Sequence, residues 1–206
     1  MDFSQPISNG PVTRGFDYYF GDDVPGFPPF CFIENDHVIA LPSMQKTDSI
    51  FGYSDGGPMI EGWDWEKLLP ALTDKAVQYI HGTDDKGRMM RNKEHPFFLY
   101  FPLSAPHVPI APADKFKGSS KAGAYGDFVQ QIDWLVGRIL SVLDEMGLDE
   151  NTLVVFTSDN GSPGMDGENM VGEYSSVRKY GHNPSYIFRG TKTDTWEGGH
   201  RVPFIT

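Results

Sequence analysis

Cysteine is all but missing from this chain. Cys31 stands alone in 206 residues, which excludes an internal disulfide and any CxxC-type metal or redox motif. It sits in "PPFCFIEN", among aromatic and apolar residues, and reads as a small buried hydrophobe. No apolar run approaches the ~20 residues of a membrane span. The opening "MDFSQPISNG" has neither a basic start nor an apolar block, so no signal peptide is visible in it. Positive charge is scarce as well. Lys and Arg number 17 against 28 Asp and Glu, a formal net charge of −11. That balance argues against a nucleic-acid or acidic-membrane partner, because both would repel the chain. An anionic substrate would have to be gathered by local cations.

What is present is enough for one sizeable domain with a core, at 39% hydrophobic and 14% aromatic residues. There is no low-complexity tract, internal repeat or linker to a second domain. With 23 Gly and 16 Pro, many connections between elements should be long. Residues 1–60 are loop-rich, punctuated by "GFDYYFGDDVPGFPPF" and "YSDGGPMIEG". From Asp64 to Gly82 a helix is expected, restarted at Pro70, with Leu72, Ala76 and Ile80 on one stripe. "PFFLYF" (96–101) reads as an apolar strand, followed by "PLSAPHVPIAPADKF", whose four prolines favour an extended loop. Residues 124–147 give the clearest helix: Phe128, Ile132, Leu135, Val136, Ile139, Leu140 and Leu143 recur at helical spacing, and Gly147 is placed to end it. Leu153–Phe156 is a continuous apolar run, as expected for a strand covered on both faces. Strand, helix, strand at this spacing predicts a βαβ unit with parallel strands and a right-handed crossover.

Ligands in open parallel sheets bind beyond the carboxyl ends of the strands. The first strand delivers "SAPHVP" to that edge and the second delivers "TSDNG", so His107 and the Asp159–Asn160 pair are expected on one rim. Asp, Asn and Gly also form ordinary turns, and both readings stand at this point. As a site, a carboxylate beside an amide carbonyl suits a hard cation such as Ca²⁺ or Mg²⁺. His in the second place would have favoured zinc. His107 can bind substrate, act as a general acid or cap its loop. Lys192 lies between a glycine turn and an aromatic–acidic–glycine run in "YIFRGTKTDTWEGGHRVPF". Glu197 and Arg201, four apart around two glycines, are expected to form a partly buried structural pair. His81, His95 and His200 read as surface residues.

Taken together, "GFDYYFG", "FFLYFPLSAPHVPI", "GDFVQQIDWLVGRIL", "LVVFTSDNG" and "RGTKTDTWEGGHRVPF" resemble, in order and spacing, successive blocks of the sulfatase family of the alkaline-phosphatase-like superfamily. The resemblance covers essentially the whole chain, as a partial sulfatase catalytic domain over residues 1–206. It implies an α/β fold, a large mostly parallel mixed sheet with helices on both faces, here incomplete. It implies that Asp159 and Asn160 coordinate Ca²⁺, that His107 contacts the sulfate group, and that Lys192 binds the sulfate oxygens and stabilises charge in transfer. "GDDVP" (21–25), with Asp22 and Asp23, and His182 in "GHNPSY" fall where the family lines its entrance.

The implied activity is hydrolysis of sulfate monoesters, on a sulfated small molecule or glycan, with a formylglycine nucleophile made from Cys or Ser within C/S-x-P-x-R. This chain contains no such motif: Cys31 is followed by Phe-Ile-Glu, and "SQPIS" and "SAPHV" lack the arginine. The paired aspartates that complete the family's Ca²⁺ site and its Lys-x-His segment are also not in this sequence, and neither is the smaller C-terminal domain. The chain alone is therefore expected to be inactive, a part of a sulfatase. Periplasmic or secreted placement follows from the resemblance only. Two rival readings are a phosphatase or phosphodiesterase of the same superfamily, which Asn160 opposes because those sites use Asp-His here, and a non-catalytic Ca²⁺ or sulfated-glycan binding protein.

Overall fold

A computed structural model describes residues 2–24, 26–46, 56–163 and 180–206. Its frame is two helices, α1 (Leu68–His81) and α2 (Gly123–Glu145), packed against each other. Asp64 opens α1 by accepting from the Glu66 amide at 3.0 Å within a short 3-10 turn. Pro70 does not restart the helix. It lies in the first turn, where a backbone N–H has no intrahelical partner to lose. Gly82, at φ 85°, ends α1 by donating to the Gln78 and Tyr79 carbonyls. Leu72, Ala76 and Ile80 are buried as their spacing predicts.

In α2 the inward stripe is Phe128, Ile132, Leu135, Val142 and Leu143, whereas Leu140 is 46% exposed. Gly147, at φ 63°, closes the helix with Leu148 donating back to the Leu143 carbonyl at 2.8 Å. Two buried polar residues of α2 hold the loop that precedes it. Asp127 accepts from the Gly118 and Ser120 amides at 2.8 and 2.7 Å, and Gln131 accepts from the Ala113 amide at 2.8 Å.

The fold is α/β and incomplete, and the described sheets are small and antiparallel. The first joins β1 (Phe20–Gly21), β2 (Ile33–Glu34) and β3 (His37–Val38). The second pairs β4 (Met44–Lys46) with β5 (Gly57–Met59), and the third pairs β6 (Phe156–Thr157) with β7 (Phe204–Ile205). Between "PFFLYF" and "TLVV" the expected parallel ladder is not formed. Both segments lie against the helices: Phe97, Leu99 and Val154 pack on the cluster of Ile80, Val142 and Leu143. Their alternate side chains point the other way and are open, with Phe98 75% and Leu153 80% exposed and Tyr100 and Val155 also exposed. Among the described residues no backbone hydrogen bond joins 96–102 to 152–155. One face of each segment is thus covered and one is bare, which corrects the expectation that Leu153–Phe156 is covered on both faces.

Cys31 is fully buried, and burial followed by the Asp23 and Asp22 charges pushes its thiol up to about 11. The expected inert, core-filling role fits.

Candidate functional site

The strand end that carries "SDNG" and the loop that carries Lys192 are one structural unit. β7 runs antiparallel beside β6, and the Thr157 hydroxyl donates to the Pro203 carbonyl at 2.9 Å. Beyond β6, the Gly161 amide donates to the Gly199 carbonyl at 2.9 Å and the Lys192 amide donates to the Ser162 carbonyl at 2.8 Å. Gly198 closes the Lys192 loop by donating to the Arg189 carbonyl at 2.8 Å. The glycines are there because backbones touch. A Cβ on Gly161 would run into the Gly198 carbonyl, one on Gly198 into the Gly190 carbonyl, and one on Gly199 into the Asp194 carbonyl.

Two cation–π stacks brace the outside of this unit, with the Arg189 guanidinium 3.8 Å above the Trp196 ring and that of Arg201 4.9 Å from the Phe188 ring. Glu197 and Arg201 do pair, at 3.0 Å, but their side chains are 55% and 62% exposed. The expected partial burial is not found, because the short helical turn Glu197–His200 turns its two glycines inward and its long side chains to solvent.

Within the unit, Asn160 is half-buried and its Nδ2 donates to the Gly161 carbonyl at 3.2 Å, which leaves Oδ1 available as an acceptor. Asp159 is exposed, and among the described residues its carboxylate has no hydrogen-bond or ion-pair partner. The Lys192 ammonium likewise has no ion-pair partner there. A free carboxylate, an amide oxygen and a half-buried free ammonium therefore belong to one locked pair of loops.

His107 is held on a different element. The segment after Phe101 does not stay extended but turns, with the His107 amide donating to the Ser104 carbonyl at 3.1 Å. His107 Nδ1 lies 2.7 Å from the Val108 carbonyl. A carbonyl only accepts, so Nδ1 carries the hydrogen and Nε2 is left for a ligand. Nε2 accepts in the neutral ring and donates only in the protonated one. A cavity of about 10 Å³ lies beside this turn, lined by Trp65, Leu68, Ser104, His107 and Phe128 among others. Among the described residues the Ser104 hydroxyl is buried there without a partner, and so, outside the cavity lining, is the indole N–H of Trp63, two residues before the 3-10 turn that leads into α1.

The two halves meet at the start of α2. Phe128 belongs to the buried cluster of Leu68, Leu69, Leu72 and Ile110, on which Ala105, Val108 and Tyr125 also pack. Tyr125 Oη is 3.2 Å from Ser162 Oγ. No direct hydrogen bond joins His107 to Asp159, Asn160 or Lys192 among the described residues. The His182 ring lies 6.5 Å from that of Tyr125. Asp22 is pushed up by burial, and its Oδ2 is buried with no partner among the described residues; Asp23 is exposed. Pro25 of the same stretch lies outside the described residues. No group of three or more His, Cys, Asp and Glu side chains able to hold a metal occurs among the described residues.

Sequence reasoning passed over Tyr125 and Ser162. The signal was available, since Tyr125, Phe128, Ile132 and Leu135 continue one helical stripe and Ser162 directly follows "SDNG".

Comparison with known proteins identifies the family and the fold. A family profile described as Sulfatase matches residues 5–206. An N-acetylgalactosamine-6-O-sulfatase of Bacteroides thetaiotaomicron is 34% identical over 204 residues, covering 96% of this chain and 36% of that protein. A solved Bacteroides thetaiotaomicron structure, described under the metabolism of multiple glycosaminoglycans, superposes with a TM-score of 0.80 at 30% identity, covering 99% of this chain and 48% of the other. A sulfatase from Pseudoalteromonas sp. gives a TM-score of 0.66 at 26% identity over 95% of this chain and 38% of the other. The chain thus spans between about a third and a half of the length of these proteins, 36% to 48%, and by profile, sequence and fold it belongs to the sulfatase family.

Proposed function

We propose that this chain forms the sulfate-holding part of a sulfuric ester hydrolase whose substrate is a sulfated sugar, with His107 and Lys192 on the sulfate and Asp159 and Asn160 on a Ca²⁺ ion. The observation that carries the reading is the lock between Ser162 and Lys192, 2.8 Å from amide to carbonyl. It ties the free ammonium to the loop bearing the unpartnered Asp159 carboxylate. An anion and a cation have complementary holders within one unit. The sugar substrate rests on the name of the N-acetylgalactosamine-6-O-sulfatase relative.

The donor set fits a hard cation. Asp159 and Asn160 offer roughly two or three of the six to eight oxygens that Ca²⁺ takes, so affinity in this chain alone is weak. A bound Ca²⁺ would supply positive charge opposite the sulfate oxygens. The rest falls to the chain's own groups. The Lys192 ammonium pairs with sulfate oxygens and offsets charge that builds on them. The hydrogen bond from Nδ1 to Val108 orients His107, so that Nε2 can donate to a sulfate oxygen when the ring is protonated. Cys31 is not the nucleophile: it is buried, its thiol is raised, and its surroundings lack the C/S-x-P-x-R pattern. The formylglycine implied by the family has no source in these residues.

An aryl sulfate assay with added Ca²⁺ tests the reading. The 206-residue chain should release no sulfate. A longer form of the protein carrying a converted C/S-x-P-x-R segment should be active, with Lys192→Ala and His107→Ala each lowering kcat/KM by about 100-fold or more. Asp159→Ala should lower Ca²⁺ affinity and activity together. Sulfate release by the chain alone, scaling with its concentration and lost in Lys192→Ala, would overturn the assignment of the nucleophile. Full activity in Lys192→Ala of the longer form would overturn the site.

A further inference from the structure

The half of the site on the His107 loop and the half on the Ser162–Lys192 unit are joined at one hydroxyl. We infer that Tyr125 is a positioning residue: through Ser162 it sets where the Lys192 loop stands relative to α2 and the His107 turn. The inference rests on the sulfate-holding role given to Lys192 above.

Three observations carry it. First, Tyr125 Oη and Ser162 Oγ are 3.2 Å apart, and the same Ser162 accepts the Lys192 amide with its carbonyl at 2.8 Å. Ser162 thus faces α2 with its side chain and Lys192 with its main chain. Second, the Tyr125 ring is part-buried on the cluster containing Phe128 and Ile110, on which Ala105 and Val108 also pack on either side of His107 in sequence. The ring is therefore fixed from the His107 side. Third, the 180s segment is seated on the same turn of helix. The Tyr180 ring occupies the space a Cβ on Gly123 would need, and the His182 ring lies 6.5 Å from that of Tyr125. Tyr125 also meets the energetic condition for such a role, since burial raises its hydroxyl while the Ser162 bond opposes that. It stays protonated under ordinary conditions, and either hydroxyl of the pair can donate to the other.

A positioning role differs from simple packing in a way that can be measured. Tyr125→Phe keeps the ring and removes only the hydroxyl. Ser162→Ala removes the partner oxygen but leaves the carbonyl that holds Lys192. If the hydroxyl pair positions Lys192, each variant should speed hydrogen exchange at the Lys192 amide by about tenfold or more. Each should weaken binding of inorganic sulfate about fivefold to tenfold, the size expected for one hydrogen bond. The two together should do no more than either alone. In an active form of the protein, Tyr125→Phe should raise KM more than it lowers kcat. Unchanged Lys192 exchange and sulfate affinity in Tyr125→Phe would overturn the inference, as would additive effects of the two substitutions. The sulfate-holding reading fails separately, if Lys192→Ala leaves sulfate affinity unaltered. Tyr125→Leu removes the ring as well as the hydroxyl, and its further drop in unfolding midpoint below that of Tyr125→Phe gives the packing contribution.

Discussion

Gly161 and Gly199 are joined amide to carbonyl at 2.9 Å, and the Gly198 carbonyl fills the place where a side chain on Gly161 would begin. That single contact makes the "SDNG" end and the Lys192 loop inseparable. Gly161→Ala should push the two apart at a cost of about 1–3 kcal/mol, the range for inserting a methyl where there is no room. The denaturant midpoint reads the stability. Sulfate binding should fall with it, whereas Gly137→Ala in α2, with open space around its Cβ position, should leave sulfate binding intact.

Asp127 is the second structural pivot. It is buried and receives the amides of Gly118 and Ser120. Asp127→Ala leaves both donors without a partner and should cost about 2–3 kcal/mol. Asp133→Ala, exposed on the same helix, should stay within about 0.5 kcal/mol of the parent. Equal losses in the two variants would remove Asp127 from this role.

Cys31 gives a prediction in pH. The ordinary thiol value is 9.0, and burial, with the Asp23 and Asp22 charges, raises it to about 11 in the folded chain. Between those values the unfolded chain has lost a proton that the folded chain keeps, so stability falls as pH rises through this window. Below pH 9.0 the term is flat. The slope of unfolding free energy against pH from about 9 to 11 should therefore be shallower in Cys31→Ala than in the parent, whatever the offset from the lost side chain. Native Cys31 should also resist iodoacetamide at pH 8 and react once the chain is unfolded. Rapid labelling of the folded protein would contradict its burial.

The bare faces of 96–101 and 152–155 bear on solution behaviour. Unpaired extended backbone beside exposed apolar side chains is a template for another strand. The chain by itself should associate as concentration rises, and Phe98→Lys with Leu153→Lys should suppress this without altering helix content. Sedimentation velocity and far-UV circular dichroism together decide it. A parent chain that stays monomeric at high concentration would count against the claim.

Both helices were legible because their signals are local. Gly82 and Gly147 end them where the sequence places a stop, and the stripes of α1 and α2 face inward with the exception of Leu140. "PFFLYF" and "LVVF" were read as strands, whereas among the described residues only Phe156 of the two segments is paired, with β7, and "LVVF" is not covered on both sides as expected. A continuous apolar run records what each face is suited to meet, and it carries no information on whether the neighbour is in the same stretch of chain. Lys192 was legible only through its glycine-rich setting. The reason for those glycines, three carbonyls occupying the places of three absent Cβ atoms, is a tertiary contact with no trace in spacing. Tyr125 was lost for the opposite reason, since its place on a core stripe hid the polar work of its hydroxyl.

The first three turns of α2 hold more than the rest of it. Tyr125 reaches Ser162, Asp127 and Gln131 grip the loop behind His107, and Phe128 lies between them in the core. Each residue added to or removed from a helix turns everything beyond it by about 100°. One extra residue between Tyr125 and Gln131 would therefore swing the Lys192 and His107 anchors out of phase with each other, although neither had been altered. Past Leu135 the same insertion would disturb the exposed Arg138–Asp74 ion pair and the hydrophobic packing on α1 and the 97–99 and 154 segments, and would leave both anchors in phase. Drift in length can be absorbed at the far end of this helix and not at the near one.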